Sequence, residues 1–283
     1  MPEKIKLIAL DLDGTLALKD HKISPATRNA LTQLHNDGIE VVISTGRRFR
    51  TAQYVIDNLD FETYCICNGG ALVKDPQKVT VLDSTFSKQE FTIITTLARK
   101  YDLAIAAQRD AHTIGGPDFI IDNAVEWHSG ISSYYKNNLD YAHGADLLKL
   151  DEQNNYLALA TFDKESKLEG FVSELEKDNR FNVTVVTQFG GDAHYCEVTQ
   201  RHVDKWYGLR HVAEVFGLQV NNICAVGDEL NDLSMVGAAG LGVAMGNAHD
   251  KLKSISDFIC GSNEDDGLLE LFDYIRAHNE GIT

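Results

Sequence analysis

The chain has 283 residues, 43% of them apolar and 24% charged, with a formal net charge of −16. That length admits two domains of ordinary size, each with its own core, and the composition is that of a globular protein rather than a disordered one. The acidic balance argues against nonspecific binding to nucleic acid or an anionic membrane, because it repels phosphate at long range, yet it leaves room for a small phosphorylated molecule in a cleft whose local field a cation inverts.

The first predicted element is the apolar run Leu7-Ile-Ala-Leu10, read as a strand that delivers Asp11 and Asp13 to its end, with Gly14 letting the backbone turn away. Strand alternation predicts that the two carboxylates leave on the same side. Ser24-Pro25-Ala26-Thr27 is a helix start, with serine as cap and proline at the first position; Ala30, Leu31 and Leu34 form its buried stripe and Gly38 ends it. Glu40 to Thr45 follows as a buried strand, so the opening is a strand, crossover helix, strand unit of the kind that makes parallel pairs. At its end Thr45 and Gly46 present a hydroxyl and backbone N–H groups where a helix begins near Phe49, an arrangement suited to phosphate oxygens.

Tyr64 to Cys67 reads as a third strand, and Ala71-Leu72-Val73 with Val79 to Leu82 as a hairpin around Asp75-Pro76. From about Ser84 to Gly191 the pattern changes. A helix from Gln89 to Tyr101, a strand from Leu103 to Ala107, an irregular tract holding Trp127, Tyr134 and Tyr135, a strand from Tyr156 to Phe162, a helix from Glu165 to Glu176 and a run from Asn182 to Phe189 suggest an inserted α+β module. Gly190-Gly191 is the expected hinge. The parallel core is expected to resume with the strand Ala193 to Val198, followed by a helix carrying Val212, Val215 and Phe216. The apolar strand Ile223 to Val226 then runs into Gly227-Asp228-Glu229-Leu230-Asn231-Asp232, a second acidic strand end. Short strands at Gly240 to Met245 and Asp257 to Cys260 and a helix from Leu268 to Ile275 close the chain. The fold class is therefore α/β: a Rossmann-like parallel core with helices on both faces, residues 1–83 and 192–283, interrupted by an α+β cap at residues 84–191.

Five cysteines, Cys65, Cys67, Cys196, Cys224 and Cys260, lack paired spacing and fall mostly in apolar runs, which predicts reduced core thiols. Met1 to Lys6 leads into the first strand with no apolar signal segment, and no uncharged apolar run approaches the ~18 residues of a bilayer span. A cytoplasmic protein, monomeric or weakly dimeric, with neither nucleic acid nor membrane as partner, is expected.

Asp11-Leu12-Asp13-Gly14-Thr15, Ser44-Thr45-Gly46-Arg47, Lys205, and Gly227-Asp228 with Asn231-Asp232 resemble the four ordered motifs of the haloacid dehalogenase-like superfamily. Gly242 to Ala248 and Glu264-Asp265-Asp266-Gly267 are similar to its Cof-type phosphatase branch, whose cap is of class IIB. One departure is Trp206, where the family often has glycine after the lysine. The resemblance implies a nucleophile at Asp11, a general acid and base at Asp13, and phosphate contacts from Thr45, Gly46, Lys205 and Asn231. It also implies Mg²⁺ held by Asp11, the backbone carbonyl of Asp13 and Asp228, with Asp232 and Glu229 as further acidic candidates.

The residues themselves agree with a hard cation, since both acidic motifs offer oxygen donors and no histidine or thiol. The implied activity is Mg²⁺-dependent hydrolysis of small phosphate esters, sugar phosphates or phosphorylated cofactors, through an aspartyl-phosphate. A phosphomutase and a non-catalytic phosphate-binding protein remain as alternatives. Arg47, Arg48 and Asn68 are further candidates on the core, and Arg109 and His112 on the cap.

Overall fold

The computed structural model describes residues 3–128, 136, 138–150, 155–186 and 194–281. Contacts divide the chain into two units, residues 1–82 with 204–283 and residues 83–203.

The first unit opens with strands β1 (Leu7–Leu10), β2 (Glu40–Ser44) and β3 (Tyr64–Cys67), then β4 (Leu72–Lys74) and β5 (Thr80–Asp83). β1 is buried along its whole length and pairs parallel with β2, which pairs parallel with β3. Strands covered on both faces cannot alternate apolar and polar residues, which is why these runs are almost continuously apolar. β4 turns back antiparallel to β3, and β5 forms the sheet edge beyond it, so the predicted hairpin is present. The connecting helix Pro25–Asn36 is capped by Ser24, whose side chain accepts from Thr27 N, and buries Leu31 and Leu34 as predicted.

The second unit contains β6 (Ala106–Arg109), β7 (Phe119–Asp122), β8 (Ala142–Ala145), β9 (Tyr156–Asp163), β10 (Phe181–Val186) and β11 (His194–Gln200). Among the described residues these form one sheet in the order β10-β11-β9-β6-β7-β8. Helices Lys88–Lys100 and Glu165–Glu176 bury Phe91, Ile94, Ala98, Leu168, Phe171 and Leu175 in one cluster with Ala107, Leu159, Cys196 and Val198. Both helices thus share one face of the sheet, the α+β arrangement read from the sequence.

The predicted boundary needs correction. The expected core resumes at residue 192 and includes β11, but β11 pairs antiparallel with both β9 and β10 and lies in the second unit. An alternating run such as His194 to Val198 suits either sheet, and its pairing partner decides; here β10, close before it in sequence, supplies that partner. The expected hinge Gly190-Gly191 and the residues Tyr134 and Tyr135 lie outside the described residues.

The first unit resumes at Asp204 with the helix Lys205–Val215, then β12 (Ile223–Gly227), β13 (Leu241–Ala244), β14 (Phe258–Ile259) and the closing helix Leu268–Glu280. β12 inserts parallel beside β1, giving the order β14-β13-β12-β1-β2-β3-β4-β5. The ends of β1 and β12 are therefore neighbours, although more than two hundred residues separate them. All five cysteines are free and buried, and among the described residues no helix is long and apolar enough to cross a membrane.

Candidate active site

The carboxyl ends of adjacent parallel strands form the usual ligand crevice of an open α/β sheet. β1 stops at Leu10, but Asp11 N still donates to Val226 O of β12 at 3.1 Å, which seats Asp11 beside the acidic turn that follows β12. Gly14 then takes a left-handed backbone (φ +81°), and a Cβ there would lie 2.1 Å from Asp228 Oδ2. Glycine is needed both for the turn and for that approach.

Lys205, the third motif, joins the first to the fourth. Its Nζ donates to Asp11 Oδ1 at 2.5 Å and to Asp232 Oδ1 at 2.6 Å, and its side chain is only 1% exposed. The lysine reaches this position because Asp204 caps its helix, accepting from Tyr207 N at 2.7 Å, and because Gly70 (φ +110°) lets the Asp204 carbonyl approach; a Cβ on Gly70 would lie 1.9 Å from that oxygen.

Asp232 is held from its other side, where Oδ2 accepts from Asp228 N and Glu229 N, both at 3.0 Å. Asp228 accepts from Thr15 Oγ1 at 3.2 Å and from Asn247 Nδ2 at 3.4 Å, and the same amide donates to Gly14 O at 2.8 Å. Asn247 thus ties the loop after β1 to the turn after β12, and Asn263 N in turn donates to Asn247 Oδ1 at 3.1 Å.

Asp11, Asp228 and Asp232 are all buried and offer carboxylate oxygens within 4.8 Å of one another. Two unit charges at about 4 Å repel by roughly 4 kcal/mol at an effective dielectric near 20. Among the described residues, the ammonium paired within this group is that of Lys205, which meets Asp11 and Asp232. Burial and this imbalance of charge shift the protonation of Asp11, Asp228 and Lys205. Burial pushes the Asp11 carboxyl well above the ordinary range against the pull of Lys205, with Asp232 and Asp228 adding to the rise. Burial, then Asp232 and Glu229, push Asp228 up to about 7. Burial works against the Lys205 ammonium, but Asp11 and Asp232 more than offset it, so the lysine keeps its proton. Three buried carboxylates with the Lys205 ammonium among them fit a further hard cation, and the donors are all oxygen.

The other predicted residues divide. Thr45 is buried at the end of β2, with its Oγ1 accepting from Arg47 N at 3.1 Å. A Cβ built on Gly46 would lie 3.6 Å from Asn231 Nδ2, so these two candidates for phosphate contact are close to each other. Asp13 does not join the acidic group. Because the strand ends before it, alternation does not govern where it points, and its half-exposed carboxylate is instead paired with Arg47, whose Nε donates to Oδ2 at 2.7 Å while Nη2 donates to Oδ1. Glu229 also stands apart: it is exposed, and its carboxylate accepts from Leu230 N at 3.4 Å, capping the turn that carries Asp232 inward.

Sequence reasoning overlooked Thr15, Asn247 and the pairing of Arg47 with Asp13. Thr15 lies within the first motif and Asn247 within the Gly242 to Ala248 segment, so position pointed to both; their partners are set by tertiary folding.

A profile of the haloacid dehalogenase-like hydrolases matches residues 8–272. Phosphatase YwpJ of Bacillus subtilis is 29% identical, with 96% of this chain and 100% of that protein covered. The 5-amino-6-(5-phospho-D-ribitylamino)uracil phosphatase YcsE of the same organism is 30% identical, with 93% of each covered. Among solved structures, BT1666 of Bacteroides thetaiotaomicron, a phosphatase of the haloalkanoate enzyme superfamily, superposes with a TM-score of 0.81 at 25% identity, covering 96% of this chain and 95% of that one.

Proposed function

This chain belongs to the haloacid dehalogenase-like hydrolase family and is a phosphoric monoester hydrolase, and from that premise we propose that it is a Mg²⁺-dependent phosphatase of small phosphorylated metabolites acting through Asp11. The observation that carries the reading is Lys205 Nζ bridging Asp11 and Asp232 in one buried group with Asp228.

Asp11 is the nucleophile: its carboxylate attacks phosphorus in line, and the ester oxygen leaves as the P–O bond breaks. Asp13 gives that oxygen a proton, then as carboxylate takes one from the water that hydrolyses the aspartyl-phosphate. Lys205 holds Asp11 in place and offers positive charge to the transferring group, while Thr45, Gly46 and Asn231 supply hydroxyl, backbone N–H and amide donors for its oxygens. Asp11 and Asp228 would hold Mg²⁺ together with the Asp13 carbonyl, and the ion would lessen the repulsion between carboxylates and phosphate. Asp232, with both oxygens engaged by Lys205 and backbone N–H groups, is better suited to positioning the lysine than to direct ligation.

Protons and Mg²⁺ compete for Asp11 and Asp228, both held above the ordinary carboxylate range, so calorimetric Mg²⁺ affinity should rise as pH climbs from that range through about 7. In metal-free protein the raised value of Asp228 sets the sign of its stability effect. The folded state holds this proton more tightly than the unfolded chain, so this group's contribution falls as pH climbs from the ordinary aspartate range to about 7 and is constant above it. Denaturant midpoints in EDTA should show that decline and saturating Mg²⁺ should remove it; Mg²⁺ affinity independent of pH would contradict the assignment.

The substrate class follows the relatives, one of which carries a phosphoribityl-aminouracil phosphatase name. A turnover panel of sugar phosphates and phosphorylated cofactors, with and without Mg²⁺, tests it. Mg²⁺-dependent release of inorganic phosphate is expected. Isomer formation without release would mark a mutase, and binding without turnover a sensor.

A further inference from the structure

We infer that Arg47, backed by His21, is a positioning residue that sets the orientation of Asp13 toward the leaving-group oxygen; this rests on the phosphatase reading above. The side-on pair fixes the plane of the Asp13 carboxylate as well as its position, because two parallel N–H donors meet two oxygens. A lone carboxylate on a loop would otherwise choose among rotamers, with its reactive oxygen aimed at the substrate in a fraction of them.

Arg47 is the anchored member of the pair. Its side chain is 18% exposed against 52% for Asp13. Its Nη1 donates to Thr51 O at 3.3 Å, and its backbone N–H donates to Thr45 Oγ1 at 3.1 Å. The guanidinium is therefore tied to the same short turn that presents Thr45 and Gly46, which couples the orientation of the proton donor to the candidate phosphate contacts.

His21 completes the arrangement. Its Nδ1 lies 2.8 Å from Arg47 Nη2, where the guanidinium is the donor, and 3.7 Å from Asp13 Oδ1, so the ring sits against both members of the pair. The residue adopts φ +62°, uncommon for a side chain larger than glycine, in a turn closed by His21 N to Leu18 O and Leu18 N to Lys22 O, both at 2.9 Å. An exposed ion pair adds little to stability, so a fold-maintaining role does not account for three side chains assembled here.

The proton balance is simple. As the P–O bond breaks, its electron pair goes to the leaving oxygen and the Asp13 proton follows; the resulting carboxylate later accepts a proton from attacking water. Protonation matters most when the leaving group is a poor one. The test is therefore a series of aryl phosphates from p-nitrophenyl to phenyl, on wild type, R47A, R47K, D13N and the double variant R47A/D13N, with Mg²⁺ saturating. R47A should lose about 10²-fold or more in kcat/KM on phenyl phosphate and far less on p-nitrophenyl phosphate, following the size of general-acid effects. R47K should recover part of the loss, and R47A should cost D13N nothing further. Equal losses across the series, a full additional loss in the double variant, or no loss would each overturn the inference. Wild type that turns over no phosphate ester would instead defeat the phosphatase reading itself.

Discussion

Asp11→Asn should abolish turnover, lowering kcat by about 10⁴- to 10⁶-fold as removal of a nucleophile does, while leaving the metal-free protein as stable as wild type or more so. The two halves of that expectation have one cause. Burial first, and then the neighbouring Asp232 and Asp228, raise the Asp11 carboxyl, so its charge is held against a cost, and asparagine of the same shape removes one negative charge from a group of three carboxylates. Lys205 retains Asp232 as its partner. Phosphate release from a panel substrate and the thermal midpoint in EDTA measure the two effects. An active Asp11→Asn protein would remove the nucleophile assignment, and a strongly destabilised one would make Asp11 structural.

Lys205→Met should fail in the opposite way, losing stability and activity together. A lysine 1% exposed between two buried carboxylates cannot be replaced by an apolar chain without taking away the ammonium that both of them share. Breaking a buried pair from one side costs about 3–5 kcal/mol. Asp11 and Asp232 will take up protons to lessen it, and a protonated Asp11 is no nucleophile. The expected result is a thermal midpoint lower by on the order of 10 °C and kcat reduced by about 10²- to 10³-fold in the protein that remains folded, the scale of one lost electrostatic contact at a reacting centre. Lys205→Met with wild-type stability would mean that the lysine is not the counter-ion of this group.

Much of this arrangement was legible in the sequence because it depends on strand ends. An apolar run closed by Asp11 and another closed by Asp228 imply neighbouring carboxylates once both strands lie parallel in one sheet, and β1 does pair with β12. Ser24 with Pro25 marked the first helix for the local reason that a cap satisfies its free N–H groups. What could not be read depends on partners distant along the chain. The strand His194–Gln200 has no feature that assigns it to one sheet, and pairing with β9 and β10 decides. Asp13 looked like a twin of Asp11, two positions away on a strand, yet the strand stops at Leu10 and the two side chains separate, one to Lys205 and one to Arg47. Asn247 is a common residue type whose significance lies in bridging Gly14 and Asp228.

In the proposed reaction Asp11 carries the phosphoryl group between ester and water. Rapid acid quenching of the enzyme during turnover of a panel substrate with Mg²⁺, followed by mass spectrometry of the peptide containing Leu7 to Leu16, tests it directly. In wild type this peptide should gain the mass of one HPO₃, localised to Asp11, and in Asp11→Asn it should gain none. Turnover with the adduct on another residue would contradict it.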